Sequence, residues 1–234
     1  MKLITSHLRA TAEDLSHESD RMYWETVLLK KYGWTTHIDS GIPDSYWILR
    51  QVCNILDPIP TALIRACGVT DFYIKDLGPN KSHYPNHGYY RESDNSVTLN
   101  SDIFIHPDQP DDFYDSHNYF LNRPAQTLIH ELGHALDAKA GNISCKPVWM
   151  SLSGWSETPK PGLKQLRIKE QGAPEVIGEM YYDPKYENDF TRFYAKRNSY
   201  DDFADVFAFY VGGMRDKVPG KKKQYFDHLL KSYN

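Results

Sequence analysis

Apolar residues recur at helical spacing through the first third of the chain. Met22, Trp24, Val27 and Leu28 pattern the stretch from Arg21 to Lys31, which stops at Tyr32-Gly33. The same period returns from Ser45 to Leu56, closed by Asp57-Pro58, and Pro60 to Cys67 predicts a further short helix. From Asp71 the character changes. Phe72-Tyr73-Ile74 predicts a strand, and Gly88 to Arg91 with Ser96 to Leu99 predicts a hairpin turning at Ser93-Asp94-Asn95. The Pro-, Asp- and aromatic-rich stretch from Ile105 to Asn122 reads as a loop.

Pro124 to Ala140 predicts a helix, with proline in its first turn, Leu128, Ile129, Leu132 and Leu136 clustered, and Gly141 in the stop position. Asn142 to Gly172 shows no clear period and predicts a long, mostly irregular insertion that would bind substrate or gate it. Its Trp149 and Trp155 would either form a lid or fold the insertion onto the domain. Helical patterning resumes at Ala173 to Tyr182, then from Tyr200 to Val211 before Gly212-Gly213, and from Lys222 to Tyr233. Without repeats or a linker, the expectation is a single domain over 1–234, with a helical part over 1–70 and a catalytic part over 71–234.

The chemistry concentrates in His130-Glu131-Leu132-Gly133-His134, an H-E-x-x-H motif. On a helix, two histidines four apart project from one face toward a shared metal. Catalytic zinc takes three protein ligands and leaves a position for water, and Glu131 is placed to act as general base on that water. With 10 His and 10 Glu among 234 residues, chance supplies about 0.02 such matches. A third ligand is sought in Asp201-Asp202-Phe203-Ala204-Asp205, where Asp201 and Asp205 share a helical face. One of them can bind metal while the other accepts a hydrogen bond from a ligating imidazole. Acidic residues in a first helical turn also suit the helix dipole without any metal.

Composition narrows the partners. A net charge of −4 argues against nucleic acid, and the Lys221-Lys222-Lys223 run reads as a solvated helix start or loop. Cys53, Cys67 and Cys145 form an odd, widely spaced set that suits a reducing compartment. No window has the length of a membrane span or of a signal-peptide core, so the expectation is a cytoplasmic product, with non-classical export or release left open. His83 and His87 are separated by Pro85 and predict a loop, and His106 and His117 are read as surface residues. Tyr84, Tyr89 and Tyr90 read as sheet packing, while Tyr89 to Glu92 is a candidate edge strand beside the cleft that would pair with substrate backbone.

The motif His130-Glu131-Leu132-Gly133-His134-Ala135-Leu136-Asp137, with the downstream Asp201-Asp202-Phe203-Ala204-Asp205-Val206-Phe207, resembles the catalytic domain of anthrax lethal factor and its relatives, the Pro-Pro endopeptidases. The resemblance spans Thr127 to Val211. It implies an α+β, zincin-like fold: N-terminal helices, a small mixed sheet, the motif helix and C-terminal helices. It implies one zinc per chain held by His130, His134 and Asp201, with Asp205 supporting a ligand and Tyr194, seven before Asp201, stabilising an oxyanion. Both carboxylates are Asp here, where the family usually has Glu. The implied function is a zinc endopeptidase acting on a protein or peptide. Two other readings stand beside it: an inactive zincin scaffold serving as a structural or interaction component of a phage or mobile element, and a DNA-associated protease of the SprT kind. An intact Glu131 and Tyr194 speak against the first, and the acidic balance and lack of a cysteine-rich ribbon against the second.

Overall fold

A computed structural model of the chain describes residues 18–78, 87–105, 122–168 and 176–233. Helix α1 covers 18–32, and strand β1 (Thr35–Ile38) follows it directly. The N-terminal part read as helical therefore also contributes a strand. Next come α2 (Ser45–Leu56), α3 (Thr61–Ala66), β2 (Asp71–Lys75), β3 (Gly88–Arg91) and β4 (Ser96–Asn100). Among the described residues these strands form one sheet of order β1-β2-β4-β3, parallel except for the β3–β4 hairpin. The hairpin turns through Glu92–Asp94 and Asn95, whose φ of 50° is the left-handed conformation that asparagine tolerates. Strand β3 is the antiparallel edge.

Phe72, Ile74, Val97 and Leu99 alternate onto one face of the sheet and are fully buried. They join a core with Leu49, Val52 and Leu56 of α2, Leu63 and Ile64 of α3, and Leu128, Leu132 and Leu136 of α5 (Arg123–Lys139). A single helical turn, α4 (Asp102–Ile105), precedes 106–121, so the loop read there, with His106 and His117, lies outside the described residues, as do His83, Tyr84 and Pro85. Helix α7 (Ser199–Val211) lies along α5, and α8 (Gly220–Leu229) packs on α7. This is an α+β architecture: helices packed against a mixed sheet, with the motif helix beside the antiparallel edge strand. Among the described residues no helix is long and apolar enough to cross a membrane.

The segment after α5 departs from expectation. Instead of an irregular insertion followed by a helix, it forms α6 (Pro147–Ser153), β5 (Lys164–Ile168) and β6 (Val176–Tyr182), the strands paired antiparallel. In β6, Gly178, Met180 and Tyr182 are buried while Ile177 and Glu179 are exposed, a period of two rather than 3.6. Met180 and Tyr182 close a second apolar cluster with Trp155 and Phe190, and Trp149 is buried against Phe203 and Phe226 in the main core. Both tryptophans fold the segment onto the body. The lysine run does open α8, yet Lys222 is only 1% exposed. Its ammonium sits 2.6 Å from Asp202 and donates to the Asp189 carbonyl at 2.6 Å, which overturns the solvated reading for that residue. A buried carboxylate requires a partner charge, and Lys222 is that charge.

Candidate metal centre and catalytic cleft

Helix α5 is built to hold still. The Asn122 side chain accepts from the Ala125 backbone N–H at 3.0 Å, Pro124 occupies the first turn, and Gly141 leaves the helix at φ 80°. His130 and His134 therefore share a face, with Glu131 beside them. Gly133 sets how near α7 comes. A Cβ there would lie 2.8 Å from the Ala204 Cα, so only glycine permits this approach.

Helix α7 is capped by Asn198, whose side chain accepts from the Asp201 N–H at 2.7 Å. The same amide donates to Asp201 Oδ2 at 2.9 Å and to Glu179 Oε2 on β6 at 3.2 Å. Asp201 Oδ1 lies 3.4 Å from His134 Nε2 and 3.6 Å from His130 Nε2, and the two Nε2 atoms are 3.1 Å apart. Those separations suit a tetrahedral zinc, since bonds of about 2.0 Å place ligand atoms about 3.3 Å from one another. Two imidazoles and one carboxylate are also a donor set that zinc accepts.

The other side of His130 is committed. Its Nδ1 faces Asp205 Oδ1 at 2.7 Å, and since a carboxylate only accepts, Nδ1 carries the proton and Nε2 turns to the centre. Burial disfavours an imidazolium at His130, but the Asp205 charge and the hydrogen bonds to Asp201 and Asp205 outweigh it, pushing the ring up to about 10. The same negative charges attract a metal cation, which would have to displace the proton to bind the imidazole. Burial would raise the Asp201 carboxyl, yet its contacts with His130 and His134 hold it well below the usual carboxylate range. Asp205 is likewise lowered despite burial, chiefly by Arg192, which clamps it through Nε at 2.8 Å and Nη2 at 2.7 Å. Asp202 points elsewhere, meeting Lys222, Trp155 Nε1 at 3.1 Å and Ser153 Oγ at 3.4 Å.

Tyr194 stands on a one-turn 3₁₀ helix (Tyr194–Lys196), its ring edge-on to His130 at 5.8 Å. Burial, reinforced by Asp201, keeps its hydroxyl protonated far above the ordinary range, so it is a donor. His130, Glu131, His134, Asp201 and Tyr194 line an open cleft of ≈ 430 Å³, together with Tyr89 and Tyr90 of edge strand β3 and with Glu179 and Arg197.

The structure thus draws His130, Glu131, His134, Tyr194, Asp201 and Asp205 into one place. Arg192, Glu179, Arg197 and Asn198 complete it and were not found from the sequence. Asn198 alone left a trace, an asparagine just before an apolar-periodic helix with an acidic residue three positions on.

No protein-family profile matches the chain, and no curated relative does. Among solved structures it is similar to a Bacteroides caccae protein provisionally described as a zinc-binding metallo-peptidase, at 16% identity over 94% of this chain and 80% of that one, with a TM-score of 0.43.

Proposed function

We propose that the chain is a zinc endopeptidase of the lethal factor and Pro-Pro endopeptidase type, working as one catalytic unit on a protein or peptide substrate. The observation that carries this reading is the convergence of His130 Nε2, His134 Nε2 and Asp201 Oδ1 at 3.1 to 3.6 Å beside Glu131. His130, His134 and Asp201 would hold a single zinc, which when bound polarises the scissile carbonyl and acidifies water. Glu131 takes the proton of the attacking water and returns it to the leaving amine. Tyr194 donates to the oxyanion as it develops, and Asp205 keeps His130 in the tautomer that presents Nε2. Substrate backbone pairs with β3, the edge strand at the cleft.

Elemental analysis of purified wild type beside His134→Ala and Asp201→Ala tests the metal, and a mixture-based library of internally quenched peptides tests the activity. One zinc per chain, lost in both variants, together with peptide cleavage, is the expected result. Zinc with no cleavage of any peptide points to a scaffold without turnover, and salt-dependent DNA binding points to a DNA-associated enzyme.

A further inference from the structure

Arg197 stands in the cleft wall with its guanidinium spread over three partners. Nη1 donates to the Tyr194 hydroxyl at 2.8 Å, Nη2 pairs with Glu179 Oε1 at 2.8 Å, and Nε lies 3.8 Å from Asp201 Oδ2. Its side chain is about one-third exposed, and its charged plane also rests over the Tyr194 ring at 5.4 Å. Glu179 ties the arrangement together, since its second oxygen accepts from Asn198, the residue that holds Asp201. One exposed carboxylate on β6 thereby orients both the arginine on the hydroxyl and the amide on the candidate ligand.

A guanidinium has donors and no acceptor. Across the 2.8 Å contact the phenol oxygen can only accept, so the hydroxyl proton is never directed at Arg197. Donation from a cation withdraws electron density from that oxygen and makes its O–H a stronger donor. We infer that Arg197 is a positioning residue for Tyr194: held by Glu179, it orients the phenol and strengthens its hydrogen bond to the substrate oxyanion. This rests on the peptidase reading for its catalytic consequence, but the hydrogen bond itself can be observed without any substrate.

The test uses zinc-loaded full chain labelled at tyrosine ¹³Cζ, in which the Tyr194 resonance is the one missing from Tyr194→Phe. Arg197→Met is expected to displace that resonance while leaving the other tyrosines in place, Glu179→Gln to move it the same way by less, and Arg197→Lys to restore it in part. An unmoved Tyr194 resonance in Arg197→Met overturns the inference. With a cleaved peptide from the library, Arg197→Met is expected to lower kcat about tenfold with KM little changed. In the Tyr194→Phe background the same substitution should cost under about twofold, the signature of a residue acting through its neighbour. Equal losses in both backgrounds, or a change confined to KM, would overturn it by showing that Arg197 meets substrate directly or merely supports the fold. A wild type that cleaves nothing counts against the peptidase reading, and the resonance then decides alone.

Discussion

Four of the candidate site residues are oriented by a neighbouring side chain. His130 is fixed by Asp205, Asp205 by Arg192, Asp201 by Asn198, and Tyr194 by Arg197. Glu131→Gln keeps the helix and both histidines but cannot take a proton. It should lower kcat by about 10²–10⁴-fold while bound zinc, read by elemental analysis, stays at the wild-type level. Asp205→Asn and Arg192→Met loosen the imidazole rather than remove it. Each should weaken zinc about 10–100-fold in competition with a chromogenic chelator, and unchanged affinity in both would remove Asp205 from the supporting role. At this scale the sequence exposed what has a fixed spacing, the H-E-x-x-H pair with the Asp201 block. Arg192 and Glu179 stayed hidden because each meets its partner from a different element, with no local pattern to mark it.

Helix α5 and hairpin β3–β4 follow from local signals that agree with one another: proline, apolar period and stop for the helix, and two strand-like runs either side of the Ser93-Asp94-Asn95 turn for the hairpin. Strands β5 and β6 do not, because Gly178 interrupts the apolar alternation that would have marked β6, and its buried partners lie in the second cluster with Trp155 and Phe190. The α5–α7 contact depends on a single missing methyl. Gly133→Ala gains about 1 kcal/mol of helix propensity yet places a carbon against the Ala204 backbone, where overpacking costs about 1–3 kcal/mol. The expected net result is a lower urea midpoint together with weaker zinc binding, since α5 and α7 carry the proposed ligands between them. Ala204→Gly should not rescue it, because the clash is with the Cα.

Across the whole molecule, the Lys222–Asp202 pair joins α8, α7 and the carbonyl of Asp189, and burial pushes Asp202 up and Lys222 down while each charge offsets the other. Lys222→Met leaves Asp202 buried without a counter-charge and should cost about 3–5 kcal/mol in urea unfolding, with partial recovery on adding Asp202→Asn. Zinc should act on the same scale. At a free concentration of about 100 Kd it adds about 2.7 kcal/mol, so chelation should lower Tm by about 5–10 °C, and a Tm indifferent to chelator would argue against a metal bound to the folded state. What the sequence determined by itself was whatever its short-range periodicity and spacing encode: most helices, the hairpin, the motif face and the acidic block that supplies Asp201 and Asp205. Spacing alone left open which acidic residue faces the histidines, the resemblance pointed to Asp201, and the tertiary structure turns Asp201 to the histidines and Asp202 to Lys222. That choice depends on how α7 rotates against α5 at Gly133, and on charges brought in from α8 and the 189–197 segment, contacts too distant along the chain for any local pattern to record.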